Sequence, residues 1–166
     1  MGYDMTALDG EYFRLNIWGM GRYREAMWGY GMLHEHEQGP WPPDPEDIDW
    51  DEFYDNEDSY PEHRKVLDDY KSASGDGPGI AIHKFGSNDG WLVTPAEIKS
   101  ALEAYEALGS PNPFADDPIE PHSEATLAMY RELRQEPPPP FDPADYWNQW
   151  IAYLRHSAKV GGFRVY

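Results

Sequence analysis

The apolar residues of this chain repeat at two periods, and each period marks out its own elements. In "GMGRYREAMWGYGML", Tyr23, Ala26, Met27 and Tyr30 stand at i, i+3, i+4 and i+7, one face of a helix, with Gly31 behind them. This spacing predicts a helix over residues 20–31. The preceding "EYFRLNIW" mixes β-branched and aromatic residues with polar ones and fits either a strand or the first turns of that helix. A second helix opens at Thr94: Pro95 takes the first helical position, and Glu97, three residues after the cap, completes a capping box. Ile98, Ala101, Leu102, Tyr105 and Leu108 share its apolar face, and Gly109 is placed to end it. Thr126, Met129, Tyr130 and Leu133 form the face of a third helix, which stops before Pro137 to Pro140. That tetraproline is a stiff spacer or a ligand for a proline-reading domain. Asp142 and Pro143 open a fourth helix, striped by Trp147, Trp150, Ile151, Leu154 and Ala158 and closed by Gly161 and Gly162.

The two-residue period appears in "IAIHKF", where Ile80, Ile82 and Lys84 alternate with Ala81, His83 and Phe85. "GSNDG" supplies turn residues and "WLVT" is aromatic and β-branched, so residues 80–94 are predicted to form a β-hairpin that runs into the second helix. "FRVY" is a short C-terminal strand, expected to pair with the hairpin as a third strand. The pattern therefore predicts an α+β fold, a small antiparallel sheet packed against about four helices, in one domain spanning residues 1–166.

Charge changes this picture in one region. Thirty-one acidic residues against 13 basic ones give a net charge of −18. From Asp44 to Asp69 there are 12 acids against Arg64 and Lys65, so −10 of the total lies in 26 residues. "GPWPPDP" and "SASGDGPG" bracket this stretch with breakers, and it reads as an acidic excursion over residues 44–69. Such a field repels phosphates and anionic membranes and favours basic partners; no direct nucleic-acid or membrane contact is expected. With no cysteine, thiolate catalysis, thiolate metal sites and disulfides are excluded. No leader-like N-terminus and no apolar run of membrane-spanning length is apparent, so a cytoplasmic location is expected.

Few motifs carry chemistry. In "HEHEQ", His34 and His36 are two apart, which aligns them only on extended backbone and falls short of a zinc ligand set. Asp47, Asp49 and Asp51 alternate as in a calcium loop, but the sixth position is Glu52 where the turn needs glycine. "GMGRYREAMWG" lacks the third glycine of a dinucleotide fingerprint. No metal and no cofactor are expected. The candidate ligand site is the face and loop of the predicted hairpin, His83, Lys84, Asn88, Asp89 and Trp91, with Arg22 and Arg24 as anion contacts. A Trp for stacking beside Lys and Arg suits a small anionic, nucleotide-like ligand bound without chemistry. Every one of these hairpin residues also has a structural job available in a turn or core. The alternative is an acidic mimic that occupies a basic protein surface through Asp49, Trp50, Asp51, Glu52, Phe53, Tyr54 and Asp55, where aromatics interleave with carboxylates. A third reading makes His83 and Asp89 the working pair of a small hydrolase.

Three stretches, "YFRLNIWGMGRYREAM", "HKFGSNDGWLVTPAEI" and "GGFRVY", carry a resemblance. In order and spacing they resemble a group of small uncharacterised proteins of actinobacteria and their phages, over about half of the chain. That group has no known activity, so the resemblance carries over no catalytic residue. It implies an accessory or mobile-element context, and the function expected in that context is a non-enzymatic factor that sequesters a ligand or blocks a host defence component.

Overall fold

The computed structural model describes residues 2–166. The chain opens with a hairpin, β1 (Gly2–Ala7) and β2 (Tyr12–Asn16), and passes directly into α1 (Ile17–Gly29). Then come β3 (Leu33–His34), α2 (Trp50–Asp55), α3 (Pro61–Ser72), β4 (Ile80–Ala81), a 3-10 turn over Ile82–Phe85, and β5 (Trp91–Val93). Helices α4 (Pro95–Ala107), α5 (Glu124–Glu132) and α6 (Pro143–Ser157) precede β6 (Phe163–Val165). The fold is α+β, with an antiparallel sheet in the order β2-β1-β6-β5. No helix among the described residues is long and apolar enough to cross a membrane.

The C-terminal strand belongs to the sheet as expected, but as a central strand. Met5 and Trp91 flank Val165, and Ala7 and Val93 flank Phe163. All six are buried, which gives the sheet one apolar face at the two-residue strand period. Gly162 makes the entry to β6: its φ of +100° suits glycine, and a Cβ there would overlap the Val93 carbonyl oxygen.

The hairpin predicted over residues 80–94 does not form. Ile80 and Ala81 pair in parallel with Leu33 and His34, residues 82–85 turn as a 3-10 helix, and Trp91–Val93 pairs with β6 instead. The cause lies in Lys84 and Phe85, both 0 % exposed. Successive side chains of a strand face opposite ways, whereas the tight turn sends both inward. The hairpin that does exist, β1 with β2, settles "EYFRLN" as a strand: Phe13 and Leu15 are buried while Tyr12, Arg14 and Asn16 are exposed. Asn16 then caps α1, its Oδ1 accepting from the Gly19 amide at 2.6 Å, so the helix begins three residues before the predicted start.

The helix expected after Thr94 is α4, and its capping box is complete. Helix α6 drives Trp147, Trp150, Ile151 and Leu154 into the centre, against Met20, Tyr23 and Met27 of α1, Ile98 and Ala101 of α4, and the sheet face. The acidic excursion is ordered as α2 and α3, two helices beyond the four anticipated. Helix α5 has no fully buried residue and hangs from the body where Glu120 and Phe141 pair as an isolated bridge.

Candidate functional site

The predicted site residues divide between two places, and those of the 83–91 segment are largely engaged by the fold. Lys84 is the clearest case. Its ammonium donates to the Ser72 carbonyl at 2.9 Å, the Leu92 carbonyl at 2.7 Å and Glu97 Oε2 at 2.8 Å, which uses all three of its donors. It thereby ties the end of α3, the edge strand β5 and the first turn of α4 together. Burial holds its proton affinity below the usual lysine range, with Glu97 pulling the other way.

Trp91 is 7 % exposed and donates through Nε1 to Ser87 Oγ at 2.8 Å. Its ring is packed among His83 at 4.9 Å, Tyr70 at 5.7 Å and Trp41 at 6.4 Å, with no free face for a ligand base. Asn88 fastens the loop to the Gly2 carbonyl at 2.9 Å, and Asp89 accepts from Ser87 at 2.6 Å. His83 has both ring nitrogens buried without a partner among the described residues. Desolvation first, then the charges of Lys84, His36 and His34, lower its pKa to about 4, so it is a neutral imidazole near pH 7. The hydrogen bond to Asp89 that a hydrolytic pair needs is not formed. Next to it, His34 sits between the Ser74 carbonyl at 2.6 Å and the Pro78 carbonyl at 3.2 Å, while the His36 ring lies 5.4 Å from that of His83. Among the described residues no group of three or more His, Cys, Asp or Glu side chains could hold a metal ion.

Arg22 lies elsewhere, on the wall of an open pocket of about 520 Å³ between the first turns of α1, the end of β2 and the start of α6. Arg24, on the same helix, is half-buried and outside that wall. Trp18, Gly19, Arg22 and Tyr23 present one face of α1 to the pocket, Arg14 closes the β2 side, and Tyr146 stands on the first turns of α6. Phe114 is brought in by Asn112, which bonds the Ala144 carbonyl at 2.8 Å and accepts from the Phe114 amide at 3.0 Å. Glu120 and Phe141, the two residues of the isolated bridge, complete the rim.

The pocket's chemistry is aromatic with a cationic edge. The Arg22 guanidinium lies over the Phe114 ring at 4.5 Å and pairs with Asp117. Tyr146 donates to the Arg14 carbonyl, and the Arg14 side chain approaches Asp4 at 3.4 Å. Trp18 is 84 % exposed. Tyr23 is 5 % exposed, its ring stacked on Phe114 at 5.3 Å, and its hydroxyl has no hydrogen-bond partner among the described residues. Burial, and after it the neighbouring Tyr146, holds that hydroxyl well above the usual tyrosine range against a smaller opposing pull from Arg22, so it is a neutral O–H donor. Of this constellation the sequence singles out Arg22 as an anion contact. The i, i+4 spacing of Trp18 and Arg22 was an available signal; the folding back of the Pro-rich 111–142 segment onto α1 leaves no local pattern.

The acidic alternative also takes shape. Asp49 caps α2, accepting from the amides of Asp51 at 3.0 Å and Glu52 at 3.2 Å. Phe53 points inward, under the Arg64 guanidinium at 4.1 Å and beside His63. Asp49, Asp51, Glu52 and Asp55 are exposed, as are Trp50 and Tyr54, which stack on each other at 5.9 Å. Arg64 pins the connection to α3 through the carbonyls of Ser59, Asn56 and Phe53.

Comparison with protein-family models, with curated proteins and with solved structures finds no match to this chain.

Proposed function

We propose that the protein is a non-enzymatic binding protein whose site for a small anionic ligand is the pocket between α1 and the start of α6. One observation carries this reading: the pocket combines about 520 Å³ of open volume with ring walls, the Arg22 edge and a buried hydroxyl that the fold leaves without a partner. Pockets of this size and lining hold small ligands by burying a flat apolar body and fixing a few polar groups. The segment 83–91 is then the scaffold behind the sheet edge. A sequestering role, which fits the accessory context implied by the resemblance to actinobacterial and phage proteins, needs only such a pocket.

The test is a ¹H–¹⁵N NMR titration with a panel of small aromatic and aliphatic anions and neutral compounds. Shift changes centred on Trp18, Arg22 and Tyr146 are expected for at least one compound. Changes centred on His83 to Trp91 would move the site back to the segment first suspected.

A second reading is favoured by a separate observation, the exposed Trp50 and Tyr54 pair amid carboxylates on α2. It makes that face an imitation of an acidic ligand for a basic protein. A basic partner captured by the protein and released by the double substitution Trp50→Ser, Tyr54→Ser would support it; capture that survives this substitution would dismiss it.

A further inference from the structure

We infer that the pocket between α1 and α6 takes a planar aromatic carboxylate, a flat ring with one negative charge, and that Tyr23 with Arg22 receives the carboxylate. This deepens the reading of that pocket as a ligand site and rests on it.

Tyr23 points to an acceptor. Tyr23 lines the pocket, and its buried hydroxyl donates to nothing among the described residues, a condition that costs free energy until an acceptor arrives. The flanking polar groups do not supply one: Tyr146 donates to the Arg14 carbonyl, and Asn16 Oδ1 is held by the Gly19 amide at 2.6 Å. Arg22 points to an anion. A guanidinium has five N–H donors, and Asp117 engages one edge of this one, leaving further donors for a planar two-oxygen group. The walls point to a ring. Trp18, Phe141 and Tyr146 offer aromatic faces and edges at the mouth, where Phe141 and Tyr146 meet edge-on at 5.2 Å.

The surroundings limit the charge to one. Glu120 stands on the rim, Asp117 holds Arg22, and the chain as a whole carries −18. A dianionic phosphate would meet more repulsion here than a carboxylate while gaining no second cation of its own, since Arg14 is turned toward Asp4. The nucleotide-like ligand suggested by the sequence is thereby narrowed to a monoanionic aryl acid.

Isothermal titration calorimetry with four probes tests this: 2-naphthoate, 2-naphthylmethanol, 2-naphthyl phosphate and cyclohexanecarboxylate. The expected result is that 2-naphthoate binds, and that each of the other three binds at least about tenfold more weakly. Tyr23→Phe and Arg22→Met should each weaken 2-naphthoate about tenfold or more. Neither variant should unfold the protein, because the first removes an unpartnered hydroxyl and the second an exposed side chain. Equal or tighter binding of the phosphate, equal binding of the alcohol, or no binding of 2-naphthoate would overturn the ligand class. The pocket itself is judged separately by the NMR panel, whose shifts would still centre on Trp18 and Arg22 if only the class were wrong. Undiminished naphthoate binding in Tyr23→Phe would overturn the role given to that hydroxyl.

Discussion

Replacing Lys84 with Met removes a fully buried ammonium together with its bonds to Ser72, Leu92 and Glu97, while nearly conserving side-chain volume. The apolar replacement packs without a cavity, so the cost is electrostatic. Two carbonyl groups lose a donor and a buried carboxylate loses its cationic partner. Breaking a buried ion pair from one side costs about 3–5 kcal/mol, chiefly through the charge left behind. Glu97 keeps three donors, the Thr94 amide at 2.9 Å, Thr94 Oγ1 at 3.0 Å and the Ala81 amide at 3.2 Å, which places the expected loss at the lower end, about 3 kcal/mol. For a chain of this size that lowers Tm by about 6–12 °C. Urea unfolding followed by tryptophan fluorescence measures the free energy, and thermal circular dichroism the Tm. Adding Glu97→Gln should restore at least about 1 kcal/mol, since the orphaned charge is gone. A loss below about 1 kcal/mol for Lys84→Met alone would refute the reasoning, because the ammonium could not then be what joins α3, β5 and α4.

Three further outcomes follow from the same structure. His83 has a folded pKa of about 4 against the ordinary 6.5, so the unfolded chain takes up the proton first as pH falls; its contribution is complete above 6.5 and is lost between 6.5 and 4. Because the ring is only partly buried, the loss is about 2 kcal/mol rather than the roughly 3 that the whole shift implies, measured as the extra destabilisation of the native protein over His83→Leu between pH 7.5 and 4.5. Gly162→Ala should cost about 2 kcal/mol or more in urea unfolding, through the positive φ and the overlap with the Val93 carbonyl; a neutral result would show that β6 can enter the sheet another way. Thr94→Ala removes the Oγ1 half of the α4 capping box while the backbone amide of residue 94 still donates to Glu97, and should cost about 1 kcal/mol; a cost near zero would mean that Pro95 and that amide bond set the start of the helix.

What was legible in the sequence was what local chemistry decides. Thr94-Pro95 with Glu97, and Asp142-Pro143, named helix starts that the structure keeps, because a cap depends on three or four consecutive residues. The apolar stripe of α6 was equally plain, and so was a C-terminal strand within an antiparallel sheet. Partnership across the chain was not legible. "IAIHKF" alternates as a strand does, yet Lys84 is drawn inward by Glu97, thirteen residues on, and by Ser72, twelve residues back. Nothing within the hexapeptide carries that demand. The N-terminal hairpin was missed for a related reason: Met5 and Ala7 alternate only briefly, and it is the pairing with β2 and β6 that makes them a strand.

The site was harder to read because the residues that look most chemical in the sequence are those most thoroughly used by the fold. A buried polar group is tolerated when its hydrogen-bonding capacity is met from within, and Lys84 meets all of its own. A ligand site needs the reverse, a capacity the fold leaves open where a ligand can reach it. Tyr23 looked like one more aromatic on the face of a helix, and its ring does pack as core against Phe114 and Trp147. Its hydroxyl, however, is unpartnered among the described residues, and Tyr23 lines the pocket that Arg22 edges. An unmet group alone would not select it, since Trp150, Tyr153 and Ser157 also have one, but those three lie outside that wall. The two residues should therefore respond in opposite ways to removal of their polar groups. Lys84→Met should lower stability and, in the protein that remains folded, leave the affinity for 2-naphthoate unchanged. Tyr23→Phe should leave stability within about 1 kcal/mol of the native value and lower that affinity. If both variants lost stability together, Tyr23 would be a core residue like its neighbours, and the distinction between a polar group used by the fold and one held for a ligand would fail for this protein.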